Sequence, residues 1–171
     1  MSVKSFDIAP GLAYGDASFF VALLEENEQF HDECMDFSIK LEAAKSVVVL
    51  SALGLGEIWY ALLRIHGAAD YGQKEWFRKL KDDKSALVSY VPFLEQAVSV
   101  MKTLPYLLFI DVTIEQTLAG IESIRTDGLF PRDAIHVSIA RSSSISNIIT
   151  TNRDYAKLTD FNVYTCNPAA F

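Results

Sequence analysis

The sequence predicts an α/β fold, a three-layer α/β/α sandwich around a central, mostly parallel sheet of four to five strands. Short apolar runs rich in β-branched residues, Val47–Leu50 foremost, alternate along the chain with segments of helical periodicity. Strands separated by helices are joined by crossovers, which run neighbouring strands parallel and put helices on both faces. A chain of 171 residues, half of them hydrophobic, can bury one core without staples, and no repeat or Pro/Gly-rich linker divides it. One domain over residues 1–171 is the expectation.

The elements follow in order. Leu12–Asp16 reads as a first strand delivering Asp16 at its end, and Phe19, Phe20, Leu23 and Leu24 recur at helical spacing with Ser18 available as N-cap. His31–Lys45 places Cys34, Met35, Phe37, Ile39 and Leu41 in an amphipathic helix. Val47–Leu50 is the clearest strand, and a Ser-Ala-Leu-Gly turn leads from it into a helix from about Leu55 to Ile65. A helical segment at about 71–104 contains stretches near Gln73–Leu80 and Pro92–Lys102, with Pro92 suited to a first turn. Leu107–Val112 is a third strand; Thr113 caps a helix whose Ile114, Leu118, Ile121 and Ile124 share one stripe. Pro131 opens a helix that can pack Ile135, Ile139 and Ala140 inward, and Asn147–Thr150 and Asn162–Thr165 complete the strands.

Composition narrows the function. Cys34 and Cys166 are too few for a disulfide framework and lack metal-ligand spacing, so reduced thiols are expected. The apolar runs near Val47–Leu55 and Leu104–Ile110 are too short to span a membrane and read as buried strands; with no signal peptide apparent at the start, the expected location is the cytoplasm. A formal net charge of −7 argues against a simple basic nucleic-acid binder. Lys74, Arg78, Lys79, Lys81 and Lys84 form one local basic run, either a binding rim or a solvated helix face diluted by Glu75, Asp82 and Asp83.

Four places set acids on this framework: Asp16 after the first strand, Glu57 about one turn into the helix after the second, Asp133 in the first turn after Pro131, and Asn152 with Asp154 after the fourth strand. Strand ends and helix starts of a parallel sheet meet at one edge, where sites form. A lone first-turn acid complements the helix dipole, so each taken singly is a structural residue as readily as a functional one. Converging carboxylates repel and persist together only around a cation. Oxygen donors without cysteine or a histidine cluster favour Mg2+ or Mn2+, and such a site hydrolyses phosphodiesters.

The ordered blocks Asp16-Ala-Ser18, Glu57, Arg132-Asp133-Ala134-Ile-His136 and Thr150-Thr-Asn152-Arg-Asp154-Tyr155 resemble the PIN-domain family, in particular the VapC-type toxin ribonucleases of toxin–antitoxin operons. The Arg132 block is the most specific, and the resemblance runs from about residue 10 to the end. It implies a PIN-like fold and a metal-dependent endoribonuclease. Asp16, Glu57 and Asp133 would be the catalytic metal ligands that position the attacking water, with Ser18 and Thr150 supporting them through hydrogen bonds. Where the family often places a fourth acid this chain has Asn152; Asn152 keeps an oxygen ligand without charge, and Asp154 either substitutes as ligand and catalytic acid or caps the turn. The resemblance also implies RNA as substrate, a cognate antitoxin protein as partner and a homodimer. The alternatives are a catalytically weak PIN-like module that binds RNA or protein, which Asn152 and the acidic total favour, and a phosphohydrolase of small substrates, which the lack of a phosphate-gripping motif disfavours.

Other residues carry two readings. His136, one turn after Asp133, is either a general acid or ligand, or a structural histidine; His31 and His66 read as isolated surface residues. Trp59, Tyr60, Trp76, Phe77 and Tyr90 can stack on bases or pack in the core. Gly54-Leu-Gly56 lacks the lysine of a phosphate-binding loop.

Overall fold

Side chains along the strands alternate between two apolar layers, and this alternation builds the molecule. A computed structural model describes residues 2–171. Six strands, β1 (Val3–Lys4), β2 (Leu12–Gly15), β3 (Val47–Ser51), β4 (Leu107–Ile110), β5 (Asn147–Ile149) and β6 (Asn162–Tyr164), form one sheet in the order β1-β6-β5-β2-β3-β4. Every neighbouring pair is parallel. The sheet thus has one strand more than the four to five expected. The addition, β1, is two residues long and too short to leave a periodic signal, yet it closes the edge beside β6.

Tyr14, Val49, Ile148 and Val163 lie in register across the sheet and point to one layer. There they meet Ala134, Val137 and Ala140 of α8 (Pro131–Ser142). Ala13, Val48, Leu50 and Ile149 face the opposite layer. That layer is built from α1 (Ala17–Leu24), α2 (His31–Ala43), α3 (Ala52–Tyr71) and α6 (Val91–Thr103). Phe19, Phe20, Phe37, Ile58, Leu62 and Met101 are all wholly buried there, each worth about 1.5–3 kcal/mol of burial.

Several boundaries differ from the sequence reading. No turn separates β3 from α3: Ser51 ends the strand and caps the helix at once, accepting the Gly54 N–H at 3.2 Å. Of the apolar residues assigned to α2, Cys34, Phe37 and Leu41 reach the core, while Met35 and Ile39 are exposed. The segment at about 71–104 forms α4 (Trp76–Asp82), α5 (Lys84–Val88) and α6; α4 and α5 enclose a small cluster of Trp76, Leu80, Ala86 and Tyr90 against the far half of α3. Its basic run pairs locally, Arg78 with Glu75 and Lys79 with Asp83 at 2.8 Å, which suits a solvated face. The run Leu104–Ile110, expected to be a buried strand, supplies β4 at the sheet edge and leaves Leu108 and Phe109 exposed.

The helix α7 (Ile114–Asp127) starts with a capping box between Thr113 and Gln116. It packs on α8 through small and polar residues. A Cβ on Gly120 would sit 3.0–3.3 Å from Ile135, and Arg141 of α8 reaches Ser123 at 2.9 Å and Asp127 at 2.8 Å. The apolar stripe consequently faces outward, with Ile114 70% and Leu118 60% exposed. Among the described residues, no helix is long and apolar enough to cross a membrane.

From β2 the chain steps outward to β3 and β4, then returns to β5 on the other side of β2. The reversal of winding therefore falls between β2 and β5, where a parallel sheet opens a crevice at its carboxyl ends.

Candidate active site

Asp16 leaves the end of β2 into that crevice. Gly15 precedes it because a Cβ there would meet the Phe20 ring at 2.6 Å and Val48 at 2.9 Å. The Asp16 N–H donates to the Ile149 carbonyl at 2.9 Å, which ties it to β5. Asp16, rather than Ser18, is the N-cap of α1, with Ser18 inside the first turn. Asp16 is 4% exposed. Its Oδ2 accepts the Ser18 hydroxyl at 2.5 Å and the Thr150 hydroxyl at 2.9 Å, whereas Oδ1 accepts only from Tyr155 at 3.3 Å.

Glu57 comes from α3 and Asp133 from the first turn of α8. Glu57 Oε2 accepts from His136 Nε2 at 2.9 Å. Its Oε1 is buried without a hydrogen bond; the Arg132 Nε lies 3.6 Å away. Asp133 Oδ1 lies 3.5 Å from both Tyr155 Oη and Asn152 Nδ2. Burial, then the charge of Asp16, pushes the Asp133 carboxyl up to about 6. Burial and the same Asp16 charge hold the Tyr155 phenol far above its ordinary value, so it stays a donor, and two carboxylates share its single proton.

Asn152 and Asp154 take different positions. Asn152 Oδ1 accepts the Asp154 N–H at 3.0 Å and caps the 3-10 turn Arg153–Lys157, leaving its amide directed at Asp133. Asp154 is exposed and does not line the cleft, although its charge contributes to the rise at Asp133. The cleft, about 380 Å³, is bordered by Asp16, Ser18, Glu57 and Asp133, by Val21 and Tyr60, and by Arg64 and Arg132 at its mouth.

The donor set fits a hard divalent cation: carboxylates from three elements, Asp16 buried and Glu57 and Asp133 half-buried, with Glu57 Oε1 free of hydrogen bonds. Asp16, Glu57 and His136 can also offer ligand atoms within 4.8 Å of one another. His136 is nonetheless unsuited to ligation, because Nδ1 lies 2.6 Å from the Tyr14 hydroxyl and Nε2 is held by Glu57.

Sequence reasoning passed over Tyr14, Arg64 and the hydrogen bonds of Tyr155, and left His136 open. The one available signal was the spacing of His136 from Asp133, which sets them one helical turn apart. His31 and His66 are not isolated: His31 Nδ1 lies 2.9 Å from the Ala22 carbonyl, and His66 pairs with Glu25 at 2.9 Å.

Comparison with solved structures finds the fold in a sarcin–ricin-loop-cleaving toxin, VapC20 of Mycobacterium tuberculosis. That likeness has 20% identity and a TM-score of 0.56, and covers 84% of this chain and 92% of that one. VapBC2 of Rickettsia felis, bound to a promoter DNA fragment, aligns at 13% identity and a TM-score of 0.49 over 89% of this chain and 96% of that one. A toxin–antitoxin complex from Klebsiella pneumoniae aligns at 17% identity and 0.49 over 87% and 94%. Comparison with curated proteins gives no match. The PIN domain family model matches residues 13–160, most of the chain and all of the cleft carboxylates, and the protein belongs to the PIN domain family.

Proposed function

We propose that the protein is an endoribonuclease that hydrolyses RNA phosphodiester bonds with Mg2+ or Mn2+ and acts as the toxin of a toxin–antitoxin pair. The observation that carries this reading is the buried Oε1 of Glu57, without a hydrogen bond, close to Asp16 in a cleft that Asp133 also lines. Asp16, Glu57 and Asp133 hold the cation. When bound, the cation polarises a phosphoryl oxygen and eases deprotonation of the attacking water. Ser18 and Thr150 fix Asp16 by occupying Oδ2, so that Oδ1 turns to the cleft. Arg64 and Arg132 offer guanidinium groups to the phosphates on either side, and the exposed Tyr60 ring offers a face to an unpaired base.

Two partners belong to this reading. A small antitoxin would block the cleft with a segment carrying arginine, which pairs well with clustered carboxylates. A second copy of the chain would cover the outward stripe of α7, whose Ile114, Leu118 and Ile121 are exposed. This reading accords with the description of one fold neighbour as a sarcin–ricin-loop-cleaving toxin. Asn152, uncharged and spent on capping, favours a single cation and gives some weight to a binding module with little activity. Induced expression in bacterial cells separates the two: growth arrest that Asp16→Ala relieves is expected, and arrest of equal depth with both chains would count against catalysis.

A further inference from the structure

Behind Glu57 runs a buried polar row to which hydrolysis as set out above gives no task. Ser51 Oγ lies 2.7 Å from Tyr14 Oη, which lies 2.6 Å from His136 Nδ1, and His136 Nε2 meets Glu57 Oε2 at 2.9 Å. Ser51, Tyr14 and His136 are all wholly buried. They come from β3, β2 and α8, and Ser51 is held in turn by the Gly54 N–H. Apolar residues of similar size would fill the same space without the cost of desolvating three polar groups. Such a row therefore signals a role beyond packing.

We propose that His136 is a positioning residue: braced by Tyr14 and Ser51, it occupies Glu57 Oε2 and thereby presents Oε1 to the cation, without ligating the cation itself. The proposal rests on the metal-dependent reading above. Nε2 carries a proton whatever the charge of the ring, because its partner, a carboxylate oxygen, only accepts. A glutamate on a helix otherwise samples several side-chain rotamers, and an N–H on one oxygen selects the rotamer that leaves the other free. Oε1 is that other oxygen, buried and without a hydrogen bond, with the Arg132 Nε 3.6 Å away at ion-pair distance only, so it keeps its lone pairs for a cation. Ligation through Nε2 would strip Glu57 Oε2 of its donor, and ligation through Nδ1 would leave the Tyr14 hydroxyl with Ser51 alone. Because His136 follows Asp133 by one turn, α8 supplies one ligand and the brace of another.

Calorimetric titration of the purified chain with Mn2+ tests this, with His136→Leu, His136→Gln and Tyr14→Phe each made alone and together with Glu57→Gln. His136→Leu is expected to weaken Mn2+ binding about 10–100-fold. His136→Gln keeps an N–H donor and should recover most of the loss, while neither change should matter once Glu57→Gln is present. Spin-echo spectra of the bound Mn2+ should show no directly coordinated imidazole nitrogen. Unchanged affinity in His136→Leu, an equal loss in both backgrounds, or a nitrogen coupling that His136→Leu abolishes would each overturn the proposal. If His136→Leu does not fold, Tyr14→Phe carries the same cycle: a loss confined to chains that retain Glu57 supports the brace, and any other pattern refutes it. Absence of Mn2+ binding by the unsubstituted chain would instead overturn the metal reading on which the brace depends.

Discussion

Asp133 bears the charge problem of the cleft most directly. Burial and the neighbouring Asp16 push its carboxyl up to about 6, so the folded chain binds this proton more tightly than the unfolded one. The stabilisation is complete below the ordinary carboxylate range near pH 4 and is lost as pH rises through about 6. Above that, the ionised group works against the metal-free fold. Asp133→Asn in EDTA should therefore melt a few degrees higher than the unsubstituted chain at pH 7.5, by about 1 kcal/mol after discounting for solvent screening of a half-buried group. The two chains should converge near pH 4, and thermal melts at both pH values check this; a variant that melts lower at pH 7.5 contradicts it. The three acids were legible in the sequence because each stands at a strand end or near a helix start. Their hydrogen-bond partners were not. Tyr14 and His136 are 122 positions apart and Tyr155 and Asp16 are 139, and no local pattern encodes contacts of that span.

At the scale of elements, α7 shows how a correct pattern can conceal its direction. The sequence marks Ile114, Leu118, Ile121 and Ile124 as one stripe, and the stripe exists. An apolar stripe ordinarily faces the core, yet Gly120 permits so close an approach to Ile135 that the small, polar face packs on α8 instead. The cap at Thr113 was readable because it is local; the facing of the helix depends on α8 and was not. Ile121→Glu places a charge in the stripe while touching nothing in the core. Light scattering should find the unsubstituted chain a dimer and Ile121→Glu a monomer, the variant keeping a native circular dichroism spectrum. A monomeric unsubstituted chain would remove the assigned partner of this face.

Across the whole molecule, the alternation of apolar runs with helices made the parallel three-layer architecture readable. The two-residue β1 escaped, since two residues have no period. The net charge of −7 no longer sits awkwardly beside an RNA substrate once its placement is considered. The cleft acids gather where the sheet reverses its winding, the proposed cation would offset part of their charge, and the exposed Arg64 and Arg132 line the same cleft. The fold puts strand ends and helix starts at one edge, and the row behind Glu57 holds one of its carboxylate oxygens. On the proposed function, the three carboxylates of the cleft recruit a cation to cut RNA. Incubation of a mixed RNA pool with the purified chain in Mn2+, Mg2+ or EDTA, beside Asp133→Asn, tests that claim most directly. Cleavage in Mn2+ or Mg2+ that disappears in EDTA and falls to background in the variant is the predicted result; cleavage that survives EDTA, or is equal in both chains, would contradict it.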